Sequence, residues 1–154
     1  MVAVPLAAFS ATFLAPKLGD GMDALAAEQI AAPADSESAY FPVCNSDLRF
    51  TCIVDGDTIW YRGDTIRIAD IDTPEISNPR CDNEARLGQR ATSKLQGLLN
   101  EAPFSLEPLA SGPGQDRYGR TLRVVTRDGE SLGSVLVSAG LAERWGGPRV
   151  DWCA

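Results

Sequence analysis

The 154-residue chain contains no histidine. This removes serine–histidine and cysteine–histidine catalysis, histidine general bases and histidine-ligated zinc. Acid–base chemistry would have to use Asp, Glu, Tyr, Lys, Cys or metal-held water. No clean apolar run reaches the about 18 residues of an ordinary membrane span. The close CxxC pairs of zinc sites are missing too. Positive charge is in deficit, with a net charge of -7, whereas a nucleic-acid binder is expected to carry a basic patch. The deficit is uneven. Residues 1–39 hold five acids and one base, while residues 40–154 hold 16 acids and 13 bases, 12 of them arginine. Arginine is the better bidentate phosphate ligand, and a bound divalent cation would bring the second segment near neutrality.

What is present suffices for one domain, with a hydrophobic fraction of 44%. Residues 1–27 read as an export signal or N-terminal anchor: residues 1–15 are apolar and uncharged, and Ala24-Leu25-Ala26-Ala27 offers a small-residue cleavage site. An exported, periplasmic or extracellular location follows, with membrane anchoring by residues 1–15 as the alternative. Residues 28–42, rich in Ala, Ser, Pro and acids, read as a linker to a domain over 43–154. Four cysteines, Cys44, Cys52, Cys81 and Cys153, favour disulfides behind a signal, and three pairings are possible. Cys44 and Cys52 flank the turn signal Asn45-Ser46-Asp47, which suits a local bridge and leaves Cys81 to hold the tail at Cys153. The alternative is four reduced core thiols.

Strands are expected over 49–54, 58–62 and 65–71, with Arg62-Gly63-Asp64 turning between the last two. Ile66, Ile68 and Ile71 break strict alternation, which a bulge near Ala69 or Asp70 would explain. Leu87, Ala91, Leu95 and Leu98 recur at helical spacing within 82–100. Two more strands are expected over 103–109 and 120–126, joined by a glycine-rich, mobile-looking loop. A short helix over 131–139 ends at Gly140, and the tail from Gly140 reads as irregular. The element order suggests an α+β, mainly β fold: a five-stranded, mostly antiparallel oligonucleotide-binding barrel with two covering helices.

Residues 54–75 carry the chemistry. Asp57 and Asp72 sit at strand ends that a meander would bring together, and two carboxylates with a backbone carbonyl suit a hard cation, Ca²⁺ more readily than Mg²⁺. Taken alone, Asp55-Gly56-Asp57 is better explained as simple turn chemistry. Arg67 lies in an isoleucine-rich strand and needs a partner there. That partner is either a structural carboxylate, Asp70 or Glu84, or a phosphate. Arg120 follows Asp116-Arg117-Tyr118-Gly119 and would reach the same place, so that two guanidinium groups surround one anion. Glu75 reads either as an exposed loop acid or, with no histidine available, as the base that acts on water.

Taken together, Val54-Asp55-Gly56-Asp57-Thr58, Ile66-Arg67, Ile71-Asp72-Thr73-Pro74-Glu75, Asp116-Arg117-Tyr118-Gly119-Arg120 and Val137-Ser138-Ala139-Gly140-Leu141-Ala142 resemble the thermonuclease (staphylococcal nuclease-like) family over roughly residues 50–145. Asp57, Asp72 and the Thr73 carbonyl would hold Ca²⁺, and Asp55 would support that site. Glu75, Arg67 and Arg120 would be catalytic, and Arg117 and Tyr118 would touch substrate. The resemblance implies hydrolysis of DNA and RNA to 3′-phosphates with low sequence specificity. Single-stranded nucleic acid is the expected partner of a monomer without an organic cofactor. The alternative is a non-catalytic module that binds nucleic acid or protein. The type member's long basic C-terminal helix has no counterpart here, and its base-stacking aromatics are unmatched unless Trp145 substitutes.

Overall fold

The computed structural model describes residues 34–45 and 49–154. The expected export signal or anchor, and the first part of the expected linker, lie outside the described residues. Among the described residues no helix is long and apolar enough to cross a membrane.

Strands β1 (Cys52–Ile53), β2 (Thr58–Tyr61) and β3 (Asp64–Ile68) form an antiparallel meander. Arg62 and Gly63 turn the chain between β2 and β3, both with positive φ (53° and 91°). Two successive left-handed residues match the right-handed twist of the flanking strands, which fixes Ile59 opposite Ile66 and Thr58 opposite Arg67. After β3, a turn at Ala69-Asp70 breaks the strand. Strand β4 (Ile71–Asp72) then joins a second sheet, paired with β8 (Glu143–Arg144). The slip in isoleucine alternation is therefore a strand break rather than a bulge within one strand. The two turn residues reset the phase so that Ile68 and Ile71 are both fully buried.

Helix α1 (Asp82–Glu101) buries Gly88, Ala91, Thr92, Leu95, Leu98 and Leu99 along one stripe, as its periodicity predicts. Beyond it come β5 (Ser105–Pro108), β6 (Thr121–Arg127), β7 (Glu130–Ser131) and α2 (Leu132–Ser138). The larger sheet runs β1-β2-β3-β6-β5, with β7 also on β6, and its β3–β6 pair is parallel. The α+β class is as expected, but the strand plan differs. The described residues form eight short strands in two sheets, the helices follow β4 and β7, and the named pairings run from β1 to β5, with the segment at 37–43 bridging towards both ends through Val43–Ile53 and Glu37–Phe104. The two-residue strands β4 and β8 are too short to show a period of two, so the tail read as irregular conceals half of a sheet.

The described part of the expected linker packs on this scaffold. Glu37 bridges Phe104 by two backbone hydrogen bonds, and Asp35 accepts from the Ser105 hydroxyl. Phe41 is fully buried and stacks on Tyr61 at 5.7 Å between ring centroids, with Phe104 at 5.9 Å. A phenylalanine buried this completely contributes about 1.5–3 kcal/mol. Two disulfides close the domain, Cys44–Cys52 and Cys81–Cys153, as the spacing suggested.

Candidate active site

Asp55-Gly56-Asp57 is a turn, with the Asp55 carboxylate accepting from the Asp57 N–H at 3.1 Å. It is also more than a turn. Asp57 is buried, and its Oδ2 accepts from the Thr73 N–H (3.0 Å) and the Thr73 hydroxyl (2.9 Å). The close approach needs glycine at 56, because a Cβ there would stand 2.7 Å from the Ala91 Cβ and 3.0 Å from the Thr73 side chain. Gly88 acts in the same way on the next segment: a Cβ would come 2.6 Å from the Pro74 carbonyl and 2.5 Å from Ile76. Helix α1 therefore presses directly on both acid-bearing turns and fixes their separation.

Arg67 extends from central strand β3 and is only 8% exposed. Its Nη2 lies 2.8 Å from Asp72 Oδ1 and 3.1 Å from Asp57 Oδ2, while Nη1 donates to the Ile71 carbonyl at 2.9 Å and to that of Ile68. Of the partners expected from sequence, Asp70 makes no such pair, and Glu84 is held instead by Arg80 (3.3 Å). The internal partners of Arg67 are thus the two acids expected to hold a metal.

The parallel register of β3 and β6, Ile66 opposite Thr121, brings Arg120 beside this group across 53 positions of sequence. Its Nη1 is 3.4 Å from the Thr58 hydroxyl, which itself donates to Asp57 Oδ1 at 3.0 Å. The preceding loop is built rather than loose at this end. Asp116 accepts from the backbone N–H of Tyr118 and Arg120 and from Arg120 Nε at 2.7 Å, while Gly119 turns at a φ of 78°. Tyr118 is 68% exposed, and Arg117 lies over its ring at 4.7 Å.

These side chains line one cleft of about 1000 Å³. Its walls include Asp55, Asp57, Arg67, Asp72, Glu75, Arg117, Tyr118 and Arg120. Of the sequence-predicted metal, catalytic and substrate residues, Thr73 alone does not line it and instead supports Asp57 from behind. Glu75 is exposed at the cleft wall, and no described side chain hydrogen-bonds to it. Sequence reasoning missed Thr58, Asp116 as the anchor of Arg120, and Arg149. Arg149 Nη1 reaches Asp72 Oδ2 at 3.2 Å and Glu143 at 3.0 Å. The one available signal for Arg149 was Cys153, whose bridge to Cys81 returns the tail to the start of α1.

The acids share an excess of negative charge. Burial pushes Asp57 up to about 6, against the pull of Arg67, and the Asp55 charge adds to the rise. Asp72 is raised by burial, with Arg67 and Arg149 opposing and Asp57 and Glu143 reinforcing. Glu75, although exposed at the cleft wall, is raised by partial desolvation there and then by the charges of Asp57, Asp72 and Glu84, with Arg67 opposing. Among the described residues no three His, Cys, Asp or Glu side chains converge as a ready-made ion cage. Two desolvated carboxylates with hard oxygen donors nevertheless fit a hard cation whose remaining positions are filled by carbonyl and water.

An acid pair bridged by a buried arginine thus lines one cleft with a second arginine beside it. The staphylococcal nuclease homologue family model matches residues 65–147. The chain belongs to that family. It is 38% identical over 100 residues to the SPbeta prophage-derived endonuclease YokF of Bacillus subtilis (strain 168), covering 62% of this chain and 33% of that protein. It is also 38% identical over 93 residues to endonuclease YncB of the same organism, covering 58% of this chain and 43% of that protein. The chain thus spans less than half the length of these relatives.

Proposed function

We propose that the domain is a calcium-dependent nuclease that hydrolyses phosphodiesters in DNA and RNA with low sequence specificity. The observation that carries this reading is the single cleft in which Asp57, Arg67, Asp72, Glu75 and Arg120 meet. Asp57 and Asp72, with the Thr73 carbonyl, would hold Ca²⁺, and Asp55 braces the turn that carries Asp57. When bound, the cation supplies electrostatic stabilisation to a phosphoryl oxygen.

The protein groups do the rest. Arg67 and Arg120 clamp the scissile phosphate and stabilise the charge that gathers on its oxygens. Glu75, with its proton affinity raised, takes the proton of the attacking water. The oxygen–phosphorus bond forms, the bond to the 5′ oxygen breaks, and that oxygen leaves with a proton from solvent. The products are a 3′-phosphate and a 5′-hydroxyl. Arg117 and Tyr118 contact the flanking nucleotide. Single-stranded DNA or RNA is the expected substrate, a monomer suffices, and the two disulfides suit an exported protein.

One observation favours a second reading, a binding module without turnover: the Arg67 guanidinium is already engaged by Asp57, Asp72 and two carbonyls. Incubating purified protein with single-stranded DNA separates the two. Cleavage with Ca²⁺ that stops in chelator and leaves 3′-phosphate ends is the expected result. Tight binding with no turnover in any divalent metal would establish the binding module instead.

A further inference from the structure

Helix α1 buries the face that shapes the cleft and exposes another. On the exposed side Arg86, Arg90 and Lys94 follow one another at i, i+4 and i+8, a row of about 12 Å. They edge a shallow groove of about 650 Å³, lined by these three cations together with Gln89, Ser93 and Leu141. No acid lines it, although the chain has 21 acids to 14 bases. Arg86 hydrogen-bonds to Asn83 at 2.9 Å, and none of the three cations forms an ion pair among the described residues. The other arginines at the helix ends are treated differently: Arg80 pairs with Glu84 and Asp151, and Arg127 with Glu101.

Like charges at i,i+4 each weaken a helix by about 0.2–0.5 kcal/mol. Two such pairs follow in succession with no acid between Arg86 and Lys94. An acidic protein that acts on a polyanion also has a specific need. Its net charge repels the substrate, and the cleft sets five acids against four arginines. A cationic row along a rigid helix supplies the sequence-independent backbone contacts that hold a long strand against that repulsion.

We propose that the Arg86–Arg90–Lys94 face of α1 is an exosite for the sugar–phosphate backbone of nucleic acid, gripping the strand outside the catalytic cleft. The choice of nucleic acid as occupant rests on the nuclease reading above. The face lies across α1 from Gly88, which packs on the Glu75 segment, so the strand has to cross the helix to reach it. Only long substrates therefore engage both regions.

The test is a fluorescence-anisotropy titration in chelator, with labelled long single-stranded DNA or a labelled dinucleotide, on wild type and on Arg86→Gln/Arg90→Gln/Lys94→Gln. All three side chains are exposed, so the variant should melt no lower than wild type. The expected result is at least about a tenfold loss of affinity for long DNA and a fall of about 2 in the log–log salt slope, with dinucleotide binding unchanged. Arg86→Lys/Arg90→Lys should restore most of the affinity. Equal affinities and slopes for variant and wild type would overturn the exosite. So would loss of binding to phosphatidylglycerol vesicles with DNA binding intact, which would assign the face to anionic lipid. Because binding is read without turnover, the two readings fail separately. An inactive wild type whose variant loses DNA affinity sinks the nuclease alone, and an active wild type whose variant binds normally sinks the exosite alone.

Discussion

At the scale of single residues, the site is governed by too much negative charge in too little water. Asp57 is the extreme case: burial outweighs Arg67, and its carboxyl is pushed up to about 6. A carboxyl raised above its unfolded value holds its proton longer in the folded state. Its contribution to stability is therefore full below about pH 4 and is lost as pH rises through about 6. A cation at Asp57 and Asp72 would reverse that loss, and its uptake must displace the proton. Calorimetric Ca²⁺ titrations should show proton release below pH 6 that disappears at pH 8 and is absent in Asp57→Asn; the same proton count at both pH values would refute the coupling. Arg67 was legible in sequence because a lone cation among isoleucines has to be paired. Its actual partners were not, because Asp57 and Asp72 reach it only through the meander. Arg149 gave no local signal at all, since its neighbours Gly147, Pro148 and Val150 carry no periodicity.

At the scale of elements, helix α1 sets the distance between the acid-bearing turns through two glycines. Gly88→Ala poses two effects against each other. Alanine is the better helix former by about 1 kcal/mol, yet its Cβ would come 2.6 Å from the Pro74 carbonyl and 2.5 Å from Ile76. Overpacking of this kind costs about 1–3 kcal/mol and shifts backbone. The close contact should win, lowering both the melting temperature and the hydrolysis rate because Glu75 follows Pro74. A more stable and equally active Gly88→Ala would show that α1 does not position the Glu75 segment. Helix α1 and the β2–β3 hairpin were readable from periodicity and turn chemistry, with ends within a residue or two except where the third strand stops at Ile68 rather than running on to 71. Strands β4 and β8 were not, since each has two residues and is stabilised by its partner rather than by its own pattern.

At the scale of the whole molecule, the two disulfides do unequal work. The Cys44–Cys52 bridge closes 8 residues, whereas Cys81–Cys153 closes 72 and ties the tail carrying Arg149 to the N-cap of α1. In the chain-entropy model the short loop is worth about 2.5 kcal/mol and the long one about 4 kcal/mol, against a typical domain stability of about 5–15 kcal/mol. Cys81→Ser/Cys153→Ser should therefore lower the melting temperature more than Cys44→Ser/Cys52→Ser; the opposite order in parallel thermal melts would mean that the tail is held by its packing alone. On the proposed reading, buried acids, a helix that spaces them and a sheet register that delivers Arg120 would together make one phosphodiester-cleaving centre, with Glu75 as its base. The most direct test is kcat on single-stranded DNA at saturating Ca²⁺ for Glu75→Gln, with Ca²⁺ affinity and melting temperature measured alongside. We predict a loss of about 10²–10⁴-fold in kcat with the other two unchanged, and a Glu75→Gln protein that cleaves as fast as wild type would contradict the account.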